Sequence, residues 1–152
     1  MSENIFLAGA AREDTTPVLG TFLYGYRPDI ACKSVHDPLH ITALAVSQYS
    51  QTALLLTAEI GDIQTELCKK IIAEISSVSG VPERNILISS THTHTAPNLS
   101  GVVGWGDIDV NYYEKIFLPS VLKAAKDAVS NLVPAEIAIG VTESKVIFPI
   151  RP

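Results

Sequence analysis

Hydrophobic and polar residues alternate along several short segments of the chain, as they do in β-strands. The segment 39–49, LHITALAVSQY, places its aliphatic residues on one side of an extended backbone. The segment 52–60, TALLLTAEI, is apolar on both faces, as in a strand with neighbours on either side. The residues between these segments predict a hairpin turn, although they lack the Asn-Gly pair most typical of one.

Three further segments have the composition of strands. The segment 4–14, NIFLAGAARED, carries four small residues in a row, which predicts close packing against a neighbouring element. The segment 85–91, NILISST, predicts a short buried strand, and the segment 135–144, AEIAIGVTES, alternates as a final strand would.

Apolar residues recur at helical spacing in two segments. The first, 61–80, predicts a helix capped by Asp62 and ended by Gly80. The second, 110–132, predicts a helix that is kinked or interrupted at Pro119. Together with the strands, these helices predict an α/β fold: a mixed β-sheet of about five strands with two main helices packed on it, in a single domain spanning 1–152.

Two irregular segments separate these elements. The segment 15–38 is rich in proline, glycine and aromatic residues, and long loops inside compact domains usually carry function. The segment 101–106, GVVGWG, predicts a glycine-rich loop after the short buried strand. The loop aromatics either line a cleft or anchor the loops on the domain: Phe22, Tyr24, Tyr26 and Trp105.

Composition narrows the class of protein. The chain has 152 residues, of which 47% are hydrophobic and 18% charged, as in a globular domain. The net charge of −5 argues against a nucleic-acid-binding surface. No apolar run reaches the ~20 residues of a transmembrane helix, and the N-terminus lacks the pattern of a signal peptide. Cys32 and Cys68 are far apart in sequence, which predicts two buried or half-buried thiols in a cytoplasmic protein.

The segment ILISSTHTHTAPN places two of the four histidines, His92 and His94, one residue apart after a predicted strand. Residues i and i+2 at the end of a strand point to the same face, so both side chains are expected to reach one spot together. The ends of strands in α/β sheets commonly carry ligand sites, and neutral imidazole is a common zinc ligand. The neighbouring threonine hydroxyls can hold the second ring nitrogens. A pair of strand-end histidines facing water would have the same pattern.

The other two histidines lie in VHDPLH. Pro38 argues against a helix there, so the spacing of His36 and His40 does not predict a helical metal clamp. His40 is interpreted as a strand residue, whereas His36 and Asp37 at the end of the long loop are candidate site residues. Glu59, near the end of the predicted strand 52–60, has no role that its sequence position assigns.

Three segments, in order along the chain, resemble the neutral/alkaline (non-lysosomal) ceramidase family. FLAGAAREDTTPVLG is similar to the family's A-G-A-x-x-x-D-I-T-P-P-x-G, and VHDPLHITALAV to its G-V-H-D-x-L-Y-A-R-A-L-V. PERNILISSTHTHTAP resembles P-x-x-N-V-x-I-S-A-T-H-T-H-S-G-P, the most specific of the three because strand, asparagine and both histidines match together.

The resemblance implies a zinc-dependent amidase acting on ceramide or a related amide or ester. It implies that His92 is a zinc ligand and that the catalytic residue His94 lies beside the metal. His36 and Asp37 match a motif near the family's active cleft, which implies a substrate-binding role. The family's remaining ligands, a second histidine, a glutamate and a tyrosine, lie beyond the matched segments.

Two departures from the family pattern affect these expectations. Ala96 stands where the family has glycine, so a positive φ is disfavoured there. The chain also stops at Ile150-Arg151-Pro152, about where the family has N-R-x-P. These departures suggest an N-terminal portion of the catalytic domain that is inactive by itself, or alternatively a non-enzymatic remnant acting as a binding or structural module. A sheet that lacks part of the catalytic domain would also expose its strand edges, which predicts self-association into a homo-oligomer.

Overall fold

The computed structural model describes residues 5–143, which form one five-stranded mixed sheet with helices on one face. The strands are β1 (Leu7–Asp14), β2 (His40–Gln48), β3 (Gln51–Ala58), β4 (Ile86–Ser90) and β5 (Val133–Pro134). Their order is β4-β3-β2-β1-β5, in which only β3 and β4 pair in parallel. The predicted α/β fold, with its mixed sheet of five strands, is confirmed.

The hairpin of β2 and β3 forms the middle of the sheet. It turns at Tyr49 and Ser50, both of which have positive φ angles of 50° and 61°. The aliphatic side of β2 is confirmed as the core face, because Ile41, Ala43 and Ala45 are fully buried.

The two predicted helices lie on the same face of this sheet. Helix α1 (Thr65–Ser79) ends at Gly80, as predicted, with a left-handed φ of 74°. The predicted cap Asp62 is wrong: the helix begins at Thr65 after Gln64, while the Asp62 carboxylate accepts a hydrogen bond from the backbone N–H of Ile63. A short side chain reaches N–H groups only two or three residues ahead, so Asp62 lies too early to cap this helix.

The second helical segment has three parts. Helix α2 (Val110–Tyr112) passes through one π-helical turn (Tyr113–Phe117) into α3 (Leu118–Ser130). The helix was predicted to be kinked or interrupted at Pro119; the interruption is a π-turn that ends two residues earlier, and Pro119 lies in the first turn of α3, where its missing N–H is tolerated. The close packing predicted for the first strand is also found: a Cβ on Gly9 would lie 2.3 Å from the carbonyl oxygen of Ala128 in α3.

The predicted final strand over 135–144 is wrong within the described residues. The sheet ends with the two-residue strand β5, and 135–143 forms no regular element. The alternating residues Ile137, Ile139 and Val141 are 68%, 89% and 96% exposed. Alternation alone does not make a strand, because a strand also needs a paired neighbour. The two residues of β5 pair with Leu7 and Ala8 at the start of β1, so the residues after Pro134 lie beyond the paired part of β1. Position 144 and the Ile150-Arg151-Pro152 end lie outside the described residues.

The long segment 15–38 is irregular, as predicted, and it is attached to the sheet and helices by specific bonds. The buried hydroxyl of Tyr112 donates a hydrogen bond of 2.8 Å to the carbonyl of Thr15, and burial raises the pKa of this tyrosine. The backbone N–H of Tyr24 donates to the carbonyl of Ala96 at 2.8 Å. These bonds bring the loop aromatics beside the segment that follows β4.

Within 5–143, no helix is long and apolar enough to cross a membrane.

Candidate functional site

His92 lies two residues beyond β4 in an unusual backbone conformation. Its φ angle is 61°, in the left-handed region that few non-glycine residues adopt. Its ring Nδ1 lies 2.8 Å from the carbonyl oxygen of Gly61. A carbonyl only accepts, so Nδ1 carries the proton and the lone pair lies on Nε2. The strained backbone and the hydrogen bond together hold a free imidazole nitrogen in one orientation.

His94 lies next to His92, although not for the predicted reason. The two ring centroids are 5.2 Å apart and the rings meet edge to face. The strand ends at Ser90, so the pair is brought together by the left-handed turn at His92 rather than by strand alternation. The predicted threonine partners are also wrong: Gly61 holds His92, while the hydroxyls of Thr93 and Thr95 bond each other at 2.8 Å.

The loop 15–38 supplies an aromatic wall to the histidine pair. The ring of Tyr26 lies 5.1 Å from that of His94, and the buried Tyr24 lies 6.3 Å from His92 and 6.0 Å from His94. The ring of Trp105, in the glycine-rich loop, lies 5.6 Å from that of Tyr24. Tyr24 and Tyr26 therefore contact the histidine pair, whereas Trp105 contacts Tyr24, and Phe22 and Trp105 line a separate pocket.

Two glycines make this arrangement sterically possible. A Cβ on Gly25, whose φ is +111°, would lie 2.2 Å from Cγ of His94. A Cβ on Gly61 would lie 2.1 Å from the ring of Tyr24. Both distances are far shorter than any real carbon–carbon contact, so a side chain at either position would displace the histidine or the aromatic ring.

The glycine-rich loop is held by a single buried side chain. The amide nitrogen of Asn98 donates to the carbonyls of Trp105, Gly106 and Asp107 at 3.1, 2.8 and 3.2 Å. Its amide oxygen accepts from the backbone N–H and the hydroxyl of Ser100 at 2.9 and 2.8 Å. Asn98 is only 6% exposed, so these bonds form a satisfied buried network that positions Trp105 against Tyr24.

A cavity of about 370 Å³ reaches the histidine segment at Thr95, and neither His92 nor His94 lines it. His36 and Asp37 contribute to its wall, with a 2.8 Å contact between Nδ1 and the carboxylate, and their side chains are 96% and 87% exposed. Glu59 and Thr95 line the same cavity, and Thr95 directly follows His94. His36 and Asp37 at the end of the long loop and Thr95 after β4 therefore line the same cavity.

Glu59 links this cavity to the sheet. Its carboxylate accepts a 2.9 Å hydrogen bond from the backbone N–H of His40 and lies 3.8 Å from the Arg12 guanidinium. Arg12 in turn donates to Nδ1 of His40 at 2.8 Å. His40 is a strand residue, as the sequence predicts, and its ring and backbone are hydrogen-bonded to Arg12 and Glu59.

The histidine pair fits a metal only in part. An imidazole whose Nδ1–H is held by a backbone carbonyl is the usual arrangement of a zinc-binding histidine. Within residues 5–143, however, no three His, Cys, Asp or Glu side chains are grouped so that they could hold a metal ion together. These residues therefore offer one oriented nitrogen and a neighbouring imidazole, and a complete zinc site needs further ligands.

The sequence pointed to both histidines as candidates and not to the residues that shape their surroundings. Gly25, Gly61 and Asn98 carry no motif, and their roles come from neighbours far away in the chain. Glycine permits a positive φ, but Gly25 shares this with other glycines such as Gly20 and Gly80, and Gly61 does not have one.

The chain shares its fold with solved structures of enzymes. It is an α/β protein with a mixed sheet whose ligand-site candidates follow the parallel strand β4. Its fold matches that of the neutral ceramidase from Pseudomonas aeruginosa, with a TM-score of 0.69 and 14% identity over 88% of this chain. A structure described as ceramidase complexed with C2 matches with a TM-score of 0.73 and 16% identity over 87% of the chain.

The chain spans less than a quarter of these two enzymes, 23% and 22% of their lengths. No protein-family model and no curated protein matches it in sequence. At these identities the likeness establishes a shared fold. It agrees with the ceramidase-like relationship that the three sequence segments indicate.

Proposed function

We propose that this chain carries part of the active site of a zinc-dependent amide hydrolase of the neutral ceramidase type. The observation that carries the proposal is the 2.8 Å hydrogen bond from Nδ1 of His92 to the Gly61 carbonyl, which leaves Nε2 free to bind a metal. The shared fold with part of two ceramidases supports the same assignment.

His92 and His94 have different tasks in this proposal. His92 holds zinc through Nε2, oriented by Gly61 and by its own left-handed backbone. Zinc, when bound at such a site, lowers the pKa of a water molecule and polarises the amide carbonyl. His94 donates a hydrogen bond to the oxygen on which negative charge develops, a contribution of about 2.7–4 kcal/mol for comparable donors in other enzymes.

The cavity of about 370 Å³ is the proposed substrate site. Its wall includes Pro17, Val35 and Leu39 on the apolar side and His36, Asp37 and Glu59 on the polar side. An amide with an apolar tail matches this lining, since the tail would contact the aliphatic wall and other polar groups of the substrate would face the polar one, while the amide itself would lie past Thr95 toward the histidine pair. We propose a lipid amide as the substrate class, with His36 and Asp37 contacting its polar part.

We propose that residues 1–152 are inactive without additional polypeptide. A catalytic zinc generally takes three protein ligands and a water molecule, and the described residues bring together only two imidazoles. The same shortage of ligands favours a second function, in which the chain is a non-enzymatic binding or structural module of this fold.

Zinc titration by calorimetry tests the metal assignment. We expect binding by the wild-type chain, at least tenfold weaker binding by His92→Ala, and unchanged binding by the control His36→Ala. The fluorescence of Trp105, the only tryptophan, provides a second readout. Wild-type binding by His92→Ala would show that His92 is not a ligand.

Hydrolysis of a short-chain N-acyl amine separates the two functions. We expect no zinc-dependent turnover by residues 1–152 and measurable turnover when the chain is fused to the part of a neutral ceramidase that it does not cover. An extended chain that binds zinc and hydrolyses no amide would favour the binding module.

A further inference from the structure

The two faces of the sheet are covered differently within residues 5–143. Helices α1 and α3 pack on one face, where Leu54, Leu56 and Ala58 of the central strand are buried. The neighbouring residue Leu55 points to the other face and is 42% exposed. We call this second face of β1–β4 the open face.

A row of apolar side chains crosses the open face. The register of the four strands places one residue from each side by side in this row: Ala10, Leu44, Leu55 and Leu87. The three leucines are 41%, 42% and 60% exposed. One step along the strands, Val46 and Ala53 form a second apolar pair beside a surface depression of about 300 Å³.

The other end of the open face is polar. The row next to the leucines consists of Arg12, Thr42, Thr57 and Ser89. Arg12 is neutralised by Glu59 at 3.8 Å and bonded to His40 at 2.8 Å. The open face is therefore divided into an apolar half and a polar half with a compensated charge.

We propose that the open face binds a second copy of this chain, sheet against sheet, around a two-fold axis parallel to the strands between β2 and β3. This axis places β2 of one copy over β3 of the other and β1 over β4. Leu44 then faces Leu55 of the second copy, and Arg12 faces Ser89 of the second copy instead of another arginine. Face-to-face packing of two twisted sheets is a common solution for exposed apolar strands.

The register of the rows favours this axis over the perpendicular one. An axis along the leucine row would lay Val46 and Ala53 over Thr42 and Thr57, so that apolar groups would meet polar ones. The axis parallel to the strands superposes apolar row on apolar row and polar row on polar row. A face-to-face contact also covers the leucines, which association through strand edges leaves in water.

The size of the face predicts a weak dimer. Three strands of eight or nine residues and the five-residue β4 together cover on the order of 500 Å² per copy. The resulting total of about 1,000 Å² is at the lower limit for a specific interface. We expect a dissociation constant between about 1 and 100 µM.

Sedimentation equilibrium of the 152-residue chain tests the proposal. We expect concentration-dependent dimerisation of the wild type and of Val103→Lys, a control at a 97% exposed loop position away from the sheet. Leu55→Lys, which buries a charge in the contact, should be monomeric while retaining the wild-type circular dichroism and melting transition. A wild-type monomer at about 300 µM would overturn the proposal and leave the open face to a different polypeptide.

A pair of complementary variants tests the axis itself. Leu44→Asp and Leu55→Lys should each be monomeric, and mixing them should restore a heterodimer because positions 44 and 55 face each other. Dimerisation of Leu55→Lys as strong as that of the wild type would overturn the proposal and place the association at the strand edges. The test does not use zinc or substrate, so its outcome is independent of the proposed hydrolase function.

Discussion

His92 combines backbone strain with a held side chain. A non-glycine residue in the left-handed region costs about 1–2 kcal/mol, and it persists only where surrounding contacts impose it. Here the bond to Gly61 and the contact with His94 impose it. Strain of this kind is concentrated at functional sites, which agrees with the role proposed for His92.

Gly25 is the residue whose replacement tests the position of His94. Gly25→Ala places a methyl group against the imidazole, 2.2 Å from Cγ before relaxation, so we expect zinc affinity to fall about tenfold and the His94 NMR signals to shift. Gly20→Ala is the matched control, because Gly20 also has a positive φ, +92°, and has no neighbour within 4 Å. Equal effects of the two substitutions would show that only backbone strain matters.

Asn98 is the residue on which the glycine-rich loop depends. Asn98→Asp keeps the shape and replaces the amide donor with an oxygen that faces three carbonyls, so we expect a loss of about 3 kcal/mol in the free energy of unfolding. The emission of Trp105 should shift as well. Asn85→Asp, which breaks one bond to the Thr52 carbonyl, should cost about 1 kcal/mol. A loss for Asn98→Asp no larger than this would contradict the network.

At the scale of elements, the β2–β3 hairpin is the segment whose sequence and geometry agree least. The turn requires positive φ at both Tyr49 and Ser50, a conformation that Asn-Gly adopts with little strain. Tyr49 is 67% exposed, so its side chain contributes little packing.

The double substitution Tyr49→Asn, Ser50→Gly should therefore raise the free energy of unfolding by about 1 kcal/mol. Urea denaturation measures the change, and Tyr49→Asn by itself should give a smaller gain. A loss of stability would mean that Tyr49 packs on its neighbours more than its exposure indicates.

At the scale of the whole molecule, carboxylates with lowered pKa make the stability of the fold depend on pH in the acidic range. The hydroxyl and the backbone N–H of Thr16, the latter 2.7 Å from the carboxylate, hold the pKa of Asp14 below its usual 3.8. The ion pair with Lys69 lowers the pKa of Glu66 in the same direction. Groups whose pKa is lower in the folded state stabilise the protein above their unfolded pKa and lose that contribution as pH falls.

We therefore expect the urea midpoint to fall as pH drops below about 4. Asp14→Asn should reduce this dependence, because the asparagine cannot ionise. Thr16→Ser, which retains the hydroxyl, should keep it. An unchanged acid slope in Asp14→Asn would assign the effect to other carboxylates.

The candidate site was predictable only where its residues are close in sequence. The T-H-T-H segment placed His92 and His94 together because they are two residues apart. Their partners come from elsewhere: Gly61 precedes α1, and Tyr24 and Gly25 lie in the long loop. No periodicity links such positions, so only the folded chain shows that they meet.

The sequence by itself determined the two helical segments, the first four strands and their order along the chain, because alternation and helical spacing are local properties of adjacent residues. It also determined which side of β2 faces the core. The tertiary structure decided that 135–143 forms no strand, that Gly61 rather than a threonine holds His92, and that one face of the sheet stays open among the described residues. Each of these depends on what lies opposite a residue in space, and contacts between distant segments exist only once the chain has folded.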